Sequence, residues 1–301
     1  MKVGILIMST LKEPSLRNIR VMKNTFINFA DNNKLKHKYD FYIYSGDKYC
    51  ADEPDVLKVE QDNIYKNINV YDVLINEDES VYRTFEKTMK MFDLIGGPYK
   101  HYYDFIVRIN ISAFLNMRLL DNVIDKLEKG NIYCNAVNSI TDVESAYMND
   151  IYARGDLIIM DGDTLKSLTN VGKKFMYYED VHTPHLNVHH VDDVMLGITF
   201  IECFGREYFK RLKMLRYNFL PNPEIGDQDY IDPNSIVSRV KTIPPGETVS
   251  GYSWDDNDAR KHDVDKMIFL NEYFKYQNYD DVKLSDVLVP KDKERPTVFL
   301  V

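Results

Sequence analysis

The stretch DFIVRINISAF, Asp104–Phe114, reads as a buried strand running into a polar turn, with Arg108 inside the apolar run and Asn110 and Ser112 where the chain should emerge. Carboxylates at such a strand end would hold a divalent ion, because hard cations take oxygen ligands that carry charge. Here both positions are neutral. Other groups with chemical capacity lie elsewhere. MDGDT supplies Asp161 and Asp163 as an Asp-x-Asp pair after an apolar strand. EDVHTPHLNVHHVDD gathers His182, His185, His189 and His190 among acids, a donor set that suits zinc, manganese or iron. Asp192 and Asp193 head the apolar run VMLGITFIECFG.

Each has a plainer reading. Gly162 makes a turn and Asp163 caps the following helix. The histidines sit in a Pro- and Asn-containing loop without HExxH spacing, where a segment that closes over substrates is the alternative. One of the two aspartates caps its helix and leaves the other available. Arg108 snorkels from a sheet edge.

The elements that would position these groups alternate. VGILIM is a short apolar run of the kind buried on both faces of a parallel sheet. Pro14 onward has helical spacing, YDFYIYSG and NINVYDVLI are strands, and DESVYRTFEKTMKMFDLI is a helix with Asp78 and Ser80 as candidate caps. After the Asp104–Phe114 strand come a helix over LLDNVIDKLEKG, the strands NIYCNAV and YARGDLIIM, and the helix DTLKSLTNV. Alternation of this kind predicts a three-layer α/β/α domain over residues 1–220 with a mixed, mostly parallel sheet. Residues 221–301 read as an extension folded onto the same domain, with one strand in SIVSRVKT and a last helix over ARKHDVDKMIFLNEYFKY. Open α/β sheets bind ligands at the carboxyl ends of their strands, which on this reading collects Ser9, Thr10, Gly46, Asp47, Asn110, Ser112 and Asp161.

Bulk properties exclude several classes. The 301 residues hold 38 Lys and Arg against 47 Asp and Glu, a net charge of -9. No basic run suggests nucleic acid, and a phosphorylated ligand would need a local positive site. GxGxxG, P-loop and GxSxG fingerprints are absent. Three scattered cysteines argue against a disulfide framework and for a reducing compartment. The apolar run Val3–Met8 is too short for a signal peptide, and no stretch approaches the ~20 apolar residues of a membrane span, so the expected location is the cytoplasm.

Four segments, in order over residues 1–205, resemble the β-1,3-galactosyltransferase-like glycosyltransferases of the GT-A-type fold. They are the acidic strand and helix with Lys87 and Thr88, the Asp104–Phe114 strand, the small-residue strand YARGDLIIM with its helix, and DDVMLGITFIECFG with Gly197. The resemblance implies an inverting transferase that moves a sugar from a nucleotide-diphosphate donor, a UDP-sugar above all, to a glycan hydroxyl. Asp193 would be the general base, with Asp192 in the place of the family's Glu. Ser9, Thr10, Arg17, Arg20, Asp47, Arg83, Lys87, Arg108, Asn110 and Ser112 would meet the donor, and Arg154 and Gly155 the acceptor. The family's triple-Asp turn is Asn110-Ile111-Ser112 here. Mn²⁺ or Mg²⁺ would then be dispensable, with Arg108, Lys87 or Arg83 supplying charge, or held elsewhere by Asp161, Asp163, His189 or His190. The remaining alternative is a catalytically inactive protein that binds a glycan or nucleotide sugar.

Overall fold

A computed structural model describes residues 1–79, 83–96, 103–139, 150–154, 156–176, 192–222, 230–242 and 260–290. The chain begins with β1 (Lys2–Met8), α1 (Ser15–Met22), a π-helical turn (Lys23–Ile27) and α2 (Asn28–Asn32). Then come β2 (Lys38–Asp47), β3 (Val56–Gln61), β4 (Asn69–Asp78), α3 (Thr84–Gly96), β5 (Phe105–Asn110) and β6 (Ala113–Leu115). Next are α4 (Met117–Val123), β7 (Ile132–Cys134), β8 (Val137–Ser139), β9 (Ile151–Ala153), β10 (Leu157–Asp161), α5 (Gly162–Gly172) and α6 (Asp192–Phe204). The last part holds β11 (Leu212–Met214), β12 (Tyr217–Phe219), β13 (Val237–Arg239), α7 (Lys261–Lys275) and α8 (Leu284–Val287).

Eight strands form one mixed sheet in the order β11-β7-β10-β5-β1-β2-β4-β3. The central set β5-β1-β2-β4 is parallel, whereas β10 runs antiparallel to both its neighbours and β3 antiparallel to β4. Side chains of successive strand residues point to opposite faces, and both faces are buried. Val3, Ile5 and Ile7 of β1 and Val107 of β5 pack with Met22 and Phe26 and with Leu120, Met267 and Phe274 of α4 and α7. Leu6, Ile106 and Ile158 pack on the other face with Phe85, Leu165 and Phe200 of α3, α5 and α6. Two-sided burial explains why β1 and β5 read as continuous apolar runs.

The antiparallel course of β10 corrects the placement of Asp161. Its register sets Leu157 against Ile109 and Asp161 against Phe105, so Asp161 lies at the sheet end opposite the carboxyl end of β5. There it caps α5, accepting from the backbone N–H of Thr164 (2.9 Å) and of Gly130 (2.6 Å). Burial opposes its charge, but these hydrogen bonds outweigh it and hold its carboxyl below the usual value. Asp163, expected to cap this helix, is instead exposed in its first turn, two residues after the cap.

Other expectations shift as well. Arg108 does not snorkel from an edge: β5 is flanked on both sides, Leu6 and Ile158 sit in register with Arg108, and its side chain is 1% exposed. Two expected strands are each broken in two, β7 and β8 in one case and β9 and β10 in the other, with each partner in a different sheet. Asp78 ends β4 rather than capping a helix, β3 was not anticipated, and the helix before Gly130 stops at Val123. Ser80 lies outside the described residues.

α6 is apolar on nearly every side because it is wedged between α3, α5 and β9. Gly197 permits the contact with β9, since a Cβ there would stand 2.3 Å from the Cβ of Tyr152. Alanine in a helix normally gains about 1 kcal/mol over glycine. Here overpacking costs about 1–3 kcal/mol, so Gly197→Ala is expected to lower the urea midpoint rather than raise it.

Candidate functional site

The chain leaves β1 toward β2 on one side and leaves β5 toward β10 and β7 on the other. In open α/β sheets, the carboxyl ends of neighbouring strands that part in this way are where a ligand-binding crevice is expected. Met8 and Asn110 are register partners at its floor. The start of β10 reaches the same end because that strand is antiparallel, which brings Arg154 and Asp156 to the crevice.

Asp156, 3% exposed, is the hub. One oxygen accepts from Asn110 Nδ2 at 2.8 Å. The other accepts from Arg239 at 2.9 Å and Asn135 Nδ2 at 3.3 Å, and Arg154 stands 3.4 Å from it. Asn110 Oδ1 accepts in turn from the backbone N–H of Ser112, and Ser112 Oγ accepts from Arg260 at 2.5 Å. Arg260 is paired with Asp263 at 2.6 Å, and Asp263 also accepts from Asn18 on α1 and from Thr242 N. The Asn110-Ile111-Ser112 turn is thus tied on one side to the start of β10 and on the other to the carboxyl-terminal segment. Strand β13 lies directly beside it, pairing antiparallel with β6, and Val240 N donates to Ser112 O.

Asn110 has a physical reason to be an amide: it donates to a buried carboxylate, and an Asp in its place would set two like charges in contact. The residues present do not fit a divalent ion, because the neutral positions are spent on Asp156 and Arg260 and are flanked by guanidinium groups. Among the described residues, no group of three or more His, Cys, Asp or Glu side chains is arranged to hold a metal. His182, His185, His189 and His190 lie outside the described residues, as does Gly155.

On the α6 side, Arg108 Nη1 stands 3.8 Å from Asp193 Oδ1. Asp193 is partly exposed and close enough to Tyr152 to raise its pKa, which burial raises first. The side chain of Asp192 lies outside the described residues. Lys241 joins from the carboxyl-terminal segment. Burial first, then the neighbouring Arg260, pushes its pKa down to about 8. Among the described residues, five cations, Arg108, Arg154, Arg239, Lys241 and Arg260, therefore gather here with three carboxylates, Asp156, Asp193 and Asp263, on a chain that is acidic overall.

The other residues named from sequence sit around this centre or apart from it. Ser9 closes β1, its N–H bonded to Tyr44 O, and Thr10 Oγ1 accepts from Lys12 N. Arg17 is half-buried on α1, and Arg20 is exposed and paired with Glu13 at 3.5 Å. Asp47 is exposed at the end of β2. Lys87 is buried and 3.4 Å from Glu79, and Arg83 is 3.4 Å from Glu86. Burial lowers the Lys87 pKa. Glu79 also accepts from Leu11 N and Gly46 N, so this cluster braces the loops after β1 and β2.

Sequence reading missed Asp156, Arg239, Lys241, Arg260 and Asp263. A signal existed: in SRVKT the period of two places Arg239 and Lys241 on one face of a strand, and Arg260 and Asp263 have helical ion-pair spacing. The sequence matches no protein-family model and no curated protein.

Removing the hub should strand buried cations, so Asp156→Ala is expected to cost about 3–5 kcal/mol in urea unfolding. Asp163→Ala, on the exposed surface, should stay within about 0.5 kcal/mol. Lys241 gives a pH signature. Between about pH 8 and the ordinary lysine value of 10.5, the folded state has released a proton that the unfolded chain keeps. Stability therefore rises with pH across that window, and Lys241→Met should flatten the rise in a series of urea melts.

Proposed function

We propose that the chain is an α/β enzyme that holds a diphosphate group in the crevice between the carboxyl ends of β1 and β5. Within that class it is a glycosyltransferase of GT-A type. It takes a sugar from a nucleotide-diphosphate donor, a UDP-sugar first among them, and passes it with inversion to a glycan hydroxyl. The observation that carries this reading is the positive excess fixed around Asn110-Ile111-Ser112.

The chemistry needs two things. As the sugar–phosphate bond breaks, charge builds on the departing diphosphate, and fixed cations stabilise it without reorganising. Arg154, Arg239 and Lys241 fill that role, held in place by Asp156 and the β13 pairing. The acceptor hydroxyl needs a base within hydrogen-bond reach. Asp193 is a partly exposed carboxylate at the start of α6, 3.8 Å from Arg108, which positions it. Inversion then follows from attack on the face opposite the leaving diphosphate. No helix among the described residues is long and apolar enough to cross a membrane, in keeping with action on cytoplasmic glycan intermediates.

A second reading, binding without turnover, is favoured by the commitment of both Asn110 and Ser112 to protein partners. Calorimetric titration of UDP- and GDP-sugars, with Mn²⁺ and again with EDTA, comes first. One donor is expected to bind equally in both, and Arg239→Ala to weaken it about tenfold or more, as loss of a charged hydrogen bond implies. Asp193→Asn should lower kcat about 10²–10⁴-fold while donor affinity persists. A panel with no bound donor overturns the proposal, and binding without transfer to any acceptor leaves the second reading.

A further inference from the structure

A separate cavity of about 310 Å³ lies on the other face of the sheet, between the α1–α2 helical segment, β6 and α7. That is the lower end of the range for small-ligand sites, about 300–1,000 Å³. Its base is aromatic: Phe114 and Phe274 are stacked with centroids 5.9 Å apart, both almost fully buried. Its walls are carboxamides. Asn24 and Asn28 are exposed on one helical stripe, four residues apart, and Asn271 faces them from α7. Asn28 Oδ1 accepts from Asn32 Nδ2 at 2.7 Å, which fixes the orientation of this amide and turns its own N–H₂ outward.

Among the described residues the lining holds no acid, and its two cations are already engaged. Arg118 donates to the carbonyls of Lys275 and Gln277 at 2.9 and 3.1 Å and lies over the Phe29 ring, and Lys275 is paired with Glu272. The stripe begins inside the π-helical turn Lys23–Ile27, a rare geometry that recurs at functional sites. Amides that both donate and accept, set above apolar rings and without free charge, match a ligand with many hydroxyls and no charge.

We infer that this cavity binds a neutral oligosaccharide. The site is on the α1–α7 side, whereas Asp193 is on the α6 side, so it does not depend on the transferase reading.

Saturation-transfer NMR on the full chain tests this, using neutral trisaccharides of glucose, galactose, mannose and N-acetylglucosamine at millimolar concentration. One of them is expected to take up saturation at its ring protons. Asn28→Ala and Asn271→Ala, both at solvent-accessible positions that leave the core intact, should each weaken it about three- to tenfold. Arg239→Ala should leave it unchanged. The inference fails if none of the trisaccharides shows transfer. It fails equally if transfer survives both amide variants, or if it vanishes in Arg239→Ala, which would move the sugar to the strand-end crevice. Donor titration in the same variants keeps the two sites distinguishable.

Discussion

The buried carboxylate of Asp156 is the constraint on which the strand-end architecture rests. It collects Asn110 from the end of β5, Asn135 after β7, Arg239 from β13 and Arg154 from the turn before β10. A lone carboxylate in the interior would be severely penalised by desolvation, and it is stable here because each of its oxygens accepts from at least one donor and guanidinium charge lies beside it. The same interactions settle how the carboxyl-terminal segment docks. β13 supplies the Arg and lies against β6, while Lys266 of α7 donates to Leu220 O, Val240 O and Thr242 Oγ1.

This arrangement explains the neutral turn that follows β5. Where a metal-dependent strand end would present carboxylates to a cation, here a fixed carboxylate faces the turn from β10, and the turn must donate to it. Asn110 does so. Ser112 faces Arg260, already neutralised by Asp263, and a small hydroxyl accepts from that guanidinium without adding another charge. The charge pattern is inverted relative to a metal site: guanidinium groups, and not only carboxylates, gather at the turn.

The remaining acid, Asp193, depends on packing as well as charge. Arg108 is buried in the middle of a central strand, and its partner Asp193 is carried on a helix that Gly197 lets settle against Tyr152. A buried cation and a close helix contact thus place a carboxylate that keeps partial access to solvent.

Periodicity alone determined much of the fold. The apolar runs of β1 and β5, the helical spacing after Pro14 and the alternation that follows required a sheet covered on both faces, because two-sided burial leaves no polar alternation along a strand. The sequence likewise marked Arg108, Asn110 and Ser112, since each departs from the apolar pattern where a strand ends or is interrupted, whereas Asp193 and Arg154 were singled out by the family resemblance. It did not determine strand direction. Leu157–Asp161 has the same pattern in either sense, and its antiparallel course sends Asp161 to the far end of the sheet and brings Asp156 to the crevice. Nor did it reveal that Arg239, Lys241 and Arg260 converge on residues far earlier in the chain, 83 positions in the case of Arg239 and Asp156 and 148 in that of Arg260 and Ser112. Such long-range pairings are fixed by strand registry and by the need of a buried carboxylate for partners, and neither condition exists until the chain is folded.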